Sequence, residues 1–146
     1  MSYKDASSTY KETKVKTAGQ GQLIVMLYDE AVKQLACAIE LIEINKTEKD
    51  PGKIEQIGKA VMKTEEIITE LMVSLDFDQG GEISKNLFSL YTWFNRELLE
   101  ANIAQDAGRM KAVKNMLSEL RNTWSTISKM TVDPPNRGAV GLNIAG

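Results

Sequence analysis

The 146-residue chain contains no histidine, and that absence removes the most chemistry. Ser-His and Cys-His nucleophile systems, histidine-ligated zinc and imidazole proton relays are all excluded. So is the di-iron bundle site built on Glu-x-x-His pairs. A single cysteine, Cys37, forbids an internal disulfide and fits an intracellular protein. Set between Ala36 and Ala38 in a helical pattern, it reads as a small structural filler rather than a reactive thiol. No apolar run reaches membrane-spanning length, and the polar start MSYKDASSTYKETK lacks the apolar region of a signal peptide. No helical pattern pairs a large apolar face with a Lys/Arg-rich one, which argues against binding at a membrane surface. The net charge is only −2 with signs interspersed, so nothing attracts nucleic acid over long range. The basic trio Lys11, Lys14 and Lys16 reads as a solvated arm.

What is present is helical periodicity. Four segments repeat apolar residues at intervals of three and four. The first stripe is Ile24, Tyr28, Ala31, Leu35, Ala38 and Ile42. The second is Ile54, Ile57, Val61, Thr64, Ile68, Leu71 and Leu75, with Thr64 its one polar member. Ile83, Leu87, Leu90, Phe94, Leu98 and Ala101 form the third, and Met110, Val113, Leu117, Leu120, Trp124 and Ile127 the fourth. The punctuation agrees: Asp50 is placed to cap the second helix with Pro51 at its first position. Gly80 and Gly81 separate the second and third helices, Asp106 and Gly108 mark the next corner, and Pro134 and Pro135 stop the last helix.

Short corners favour antiparallel neighbours, so the expected fold is all-α, an antiparallel up-down four-helix bundle with helices roughly 35 Å long. The expected organisation is a flexible N-terminal arm over 1–18, the bundle over 19–130 and a flexible C-terminal tail over 131–146. Neither arm holds enough large apolar side chains to offset its ordering entropy unless it is docked.

Chemistry finds no foothold. The carboxylate pairs Glu40/Glu43, Glu65/Glu66 and Glu97/Glu100 flank the apolar stripes rather than lie on them, and read as solvated faces. Glu55 and Lys59 form a favourable i,i+4 pair. Gly80-Gly81 lacks the Lys-Ser/Thr of a phosphate loop, and Gly19 and Gly21 fail the same test. No catalytic residue, cofactor or metal site is expected, and the chain does not read as an enzyme. The surplus is apolar. Val25, Met26, Met62, Val73, Phe88, Trp93, Leu99, Ile103 and Met116 lie off the main stripes, more than widened core arcs readily absorb. Aromatics and flexible methionines along a groove suit an amphipathic partner helix.

Three blocks go further. Tyr10, Val15, Thr17 and Ala18 precede Leu23-Ile24-Val25-Met26-Leu27-Tyr28-Asp29. Leu75-Asp76 and Gly80-Gly81 precede Asn86-Leu87, Leu90-Tyr91, Trp93 and Ala101-Asn102. Met116-Leu117, Leu120-Arg121 and Trp124 follow. In this order the chain resembles the flagellar secretion (export) chaperones of flagellin, the FliS family. One departure is Gly19-Gln20, where relatives commonly open the first helix with Ser-Pro.

The resemblance implies a bacterial cytosolic chaperone that binds the C-terminal segment of flagellin, prevents premature polymerisation and delivers it to the export gate. It also implies that the N-terminal arm, through Tyr10 and Val15, lies across the client groove when flagellin is absent; the alternative is that Tyr10 pins the arm in every state. The groove is expected to involve Leu27, Tyr28, Phe88, Tyr91 and Trp93. Core packing competes at Tyr28 and Tyr91, whose hydroxyls need partners if buried. A helical module that self-associates or sequesters a transcription regulator is the competing functional class.

Overall fold

The computed structural model describes the backbone of residues 3–131 and the side chains of residues 21–129. Five helices follow in order: α1 (Tyr3–Glu48), α2 (Pro51–Val73), α3 (Phe77–Gly80), α4 (Glu82–Ala104) and α5 (Ala107–Thr131). The four long ones make an all-α bundle. α1 packs on α2 and α5, and α4 packs on the same two, which closes a ring α1–α2–α4–α5.

The periodic stripes are the core. Every member of the first stripe is buried, from Ile24 to Ile42. Ile57, Val61, Ile68 and Leu71 of α2, Phe94, Leu98 and Ala101 of α4, and Met110, Val113, Leu117 and Trp124 of α5 join it. Thr64 is fully buried without penalty, because its hydroxyl donates to the Ala60 carbonyl at 2.9 Å. The stripes fray at their starts. Ile54 and Ile83 are exposed, each in the first turn of its helix, where the pattern runs past the packed interior.

Capping sets the corners. Asp50 accepts from the Gly52 N–H at 2.9 Å, and Pro51 opens α2. Asp76 accepts from the Asp78 and Gln79 N–H groups, both at 3.0 Å, and so caps the single turn α3. Periodicity cannot register an element of four residues, and this one was not among the expected helices. Gly81 then takes φ +51° and ψ −118°, a region open in practice only to glycine. Asp106 accepts from the Arg109 N–H at 3.1 Å at the start of α5.

At the N-terminus the backbone of residues 3–18, expected as an arm, continues α1 as helix. No proline interrupts the chain between Tyr3 and Asp50, and Gly19-Gln20 stands where Ser-Pro would have started a new helix. The side chains of Tyr10 and Val15 lie outside the described residues, as do residues 132–146 of the expected tail.

Candidate functional site

One flank of α2 carries Ile54, Gly58, Met62, Glu65, Thr69 and Val73, spaced by three or four residues and therefore stacked in a line. One flank of α4 carries Phe88, Thr92, Asn95, Leu99 and Ile103 at the same spacing. Two contacts show that these lines adjoin. The Asn95 amide N–H donates to the Thr69 hydroxyl at 3.4 Å, and a Cβ built on Gly58 would lie 3.9 Å from Asn102 Nδ2. Along this seam Ile54, Met62, Val73, Phe88, Leu99 and Ile103 are between 43% and 78% exposed. Phe77 of α3, also exposed, meets Phe88 edge-on with ring centroids 6.0 Å apart and closes the head of the seam. Large apolar side chains open to water at both ends of a seam between two adjacent helices suit an interaction surface, whereas scattered single exposures would need no explanation.

The residues expected in the groove divide. Phe88 lies in the seam. Trp93, five residues on, is turned about 140° away around the helix axis; it is half-buried and packs 5.8 Å from Phe94. Leu27, Tyr28 and Tyr91 are interior. The Tyr28 and Tyr91 hydroxyls bond each other, and Trp124 is buried beside Tyr28, so α1, α4 and α5 meet in one interior cluster. Burial pushes the Tyr91 phenol up to about 12 and holds Tyr28 still further above the ordinary phenol range. A partner on the surface reaches neither ring unless the bundle opens.

Of the nine off-stripe apolar residues, Met62, Val73, Phe88, Leu99 and Ile103 are exposed, Met26, Trp93 and Met116 are half-buried, and Val25 is buried. Ile54 and Phe77 were missed as surface residues, the first because it continues a core stripe. Cys37 is exposed rather than a buried filler, since it sits one residue off the Ala38 line and so faces outward.

Charged groups fasten the helices. Arg109 of α5 grips Glu97 of α4 through two bonds of 2.9 Å and reaches Glu100 at 2.7 Å. That guanidinium holds the Glu97 carboxyl below its usual range. Arg121 meets Asp29 at 2.7 Å across α5 and α1. A second concavity, about 380 Å³, lies between α1 and α5 and is lined by Gln22, Val25, Met26, Arg121, Ser125, Ser128 and Lys129. Its mixed lining lacks the large exposed apolar side chains of the α2/α4 seam. Among the described residues no group of His, Cys, Asp or Glu is arranged to hold a metal ion, and no helix is long and apolar enough to cross a membrane.

The family profile described as Flagellar protein FliS matches residues 3–131. The flagellar secretion chaperone FliS of Salmonella typhimurium is 36% identical over 118 residues, 80% of this chain and 82% of that protein. The flagellar secretion chaperone FliSB of Pseudomonas aeruginosa is 34% identical over 117 residues, 80% of this chain and 87% of that protein. FliS of Escherichia coli, bearing the same description as the Salmonella protein, is 30% identical over 126 residues, 85% of this chain and 88% of its own length.

Proposed function

This chain belongs to the FliS family of flagellar proteins, and we propose that it is a flagellar secretion chaperone whose α2/α4 seam holds the C-terminal segment of flagellin. The family is a class of chaperones rather than of enzymes, and the relatives' shared description supplies the function. The observation that carries the site is the open row Ile54, Met62, Val73, Phe88, Leu99 and Ile103 on a bundle whose core is already closed. An amphipathic helix laid along the seam buries these side chains together with its own apolar face.

The mechanism is binding without chemistry. Ordering a disordered client costs roughly 2–5 kcal/mol, which a large apolar interface offsets, leaving a net affinity in the nanomolar to micromolar range. Covering the client's sticky segment in the bacterial cytosol blocks its polymerisation until the export gate takes it over. Release needs only a competing partner. In this reading residues 3–18 leave the helical continuation of α1 and Tyr10 and Val15 compete with the client for the groove, so Tyr10→Ala changes client affinity more than bundle stability.

Isothermal titration with the C-terminal segment of flagellin from the same organism tests the proposal. Saturable one-to-one binding with a large negative heat-capacity change is the expected result. Absence of binding at roughly tens of micromolar overturns it. The same seam could instead pair two copies of this chain, and sedimentation that shifts with concentration would favour that reading.

A further inference from the structure

The α2/α4 seam is apolar at both ends and polar at its centre. Glu65 stands on the α2 line between Met62 and Thr69, half-buried, and its carboxylate pairs with no cation and no donor among the described residues. Across from it, the Asn95 amide spends its N–H on Thr69, whose own hydroxyl donates to the Glu65 carbonyl at 2.9 Å. The Asn95 Oδ1 is buried and has no partner. Two acceptors therefore sit unmatched in one stretch of the seam, and of the two only Glu65 is open to a partner.

The other acids at helix junctions are treated differently. Glu97 and Glu100 share Arg109, Asp29 has Arg121, and Glu43 has Lys46 and Lys111. Glu65 alone in this comparison faces a helix junction without a counter-charge. Burial raises its pKa, as expected for a carboxylate that has lost water and gained nothing in exchange. A wholly apolar helix laid over the seam would complete that desolvation with no compensation, which is strongly unfavourable for a charged group.

We infer that the seam is built for an amphipathic client helix whose apolar stripe is interrupted once by an arginine or lysine, seated against Glu65. The apolar residues on either side of that cation lie on Met62 and Leu99 toward one end and on Val73 and Phe88 toward the other. The apolar ends supply affinity and the central pair fixes register, because a helix shifted by one turn sets its cation against a methionine or a threonine rather than a carboxylate. This inference rests on the chaperone reading above and assigns Glu65 as the residue that selects the client's register.

The test uses full-length protein and the flagellin C-terminal segment, titrated at low and high salt, with Glu65→Gln, Glu65→Leu and Leu99→Asp. Neither position lies in the core, and melting curves check that each variant folds. Glu65→Gln is expected to weaken binding about tenfold at low salt and to flatten its salt dependence. Glu65→Leu is expected to weaken it further, because the client cation is then buried against a hydrocarbon. Unchanged or tighter binding by Glu65→Leu overturns the inference, since removing an unmatched acid would then only have relieved desolvation. If that result comes with loss of binding in Leu99→Asp, the chaperone seam stands and this inference alone falls. A wild type that does not bind, or a silent Leu99→Asp, overturns both. Self-association that Leu99→Asp abolishes, with no client bound, assigns the seam to a second copy and also overturns both.

Discussion

Tyr28 and Tyr91 stand 63 positions apart in the chain and meet hydroxyl to hydroxyl inside the bundle. Their rings are almost wholly shielded from water, and Trp124 completes the group from a third helix. Each of the three belongs to a different sequence block of the family resemblance. What makes those blocks recognisable is thus partly an interior arrangement that fixes how α1, α4 and α5 fit together.

The hydroxyl pair yields a mutational cycle. Tyr28→Phe and Tyr91→Phe each leave the other hydroxyl without its partner. Each single variant is therefore expected to cost about 1–3 kcal/mol, and the double variant to cost less than the sum. Urea unfolding of the four proteins measures it. Strict additivity would refute the coupling.

The same pair predicts an alkaline limit. Both phenols ionise in the folded state above their ordinary value of about 10, Tyr91 near 12 and Tyr28 higher. The unfolded chain therefore releases protons first as pH rises. The contribution to stability is whole below pH about 10 and falls as pH climbs through 12. Urea midpoints recorded across that range should decline for the wild type and flatten in the Tyr28→Phe/Tyr91→Phe variant.

Backbone geometry gives opposite signs at two corners. Gly81→Ala forces a side chain into φ +51°, ψ −118° with open space around it, so the penalty is purely conformational, about 1–3 kcal/mol. Lys49 ends α1 in the left-handed region at φ +52°, and Lys49→Gly should stabilise by about 0.5–1 kcal/mol. Thermal melts that move the same way for both would contradict this account.

Two helical glycines separate packing from propensity. A Cβ at Gly58 meets nothing closer than 3.9 Å, so Gly58→Ala gains about 1 kcal/mol of helix propensity. At Gly21 the Cβ would fall 2.7 Å from Ser128 Oγ and 3.0 Å from its Cβ, where α1 and α5 approach closely. Gly21→Ala should therefore destabilise, because overpacking of about 1–3 kcal/mol exceeds the gain. Parallel denaturation curves decide the matter.

How far the sequence could be read follows from which signals are local. The α1 stripe was legible because a 3.6-residue period needs no knowledge of the partner helices, and all six of its positions are buried. Asp50 and Pro51 were legible for the same reason. Whether Phe88 or Trp93 reaches the surface depends on which helix lies against each flank of α4, and periodicity carries no such information. Glu65 shows the limit most plainly. Beside Glu66 it read as one more solvated carboxylate, and only the apposition of Thr69 and Asn95 reveals the acid as half-covered and unmatched.

The ring order of the helices has a kinetic consequence. Each pairing of consecutive long helices spans a short corner, residues 49–50, 74–81 or 105–106, while α1 and α5 must find each other across most of the chain, as Asp29 and Arg121 do from 92 positions apart. Loop-closure entropy favours the short pairings first. During synthesis the client face would then take shape while the last helix is still inside the ribosome and the α5-facing side of the α1 stripe is still uncovered. A nascent chain would be able to engage its cargo before its own interior is sealed.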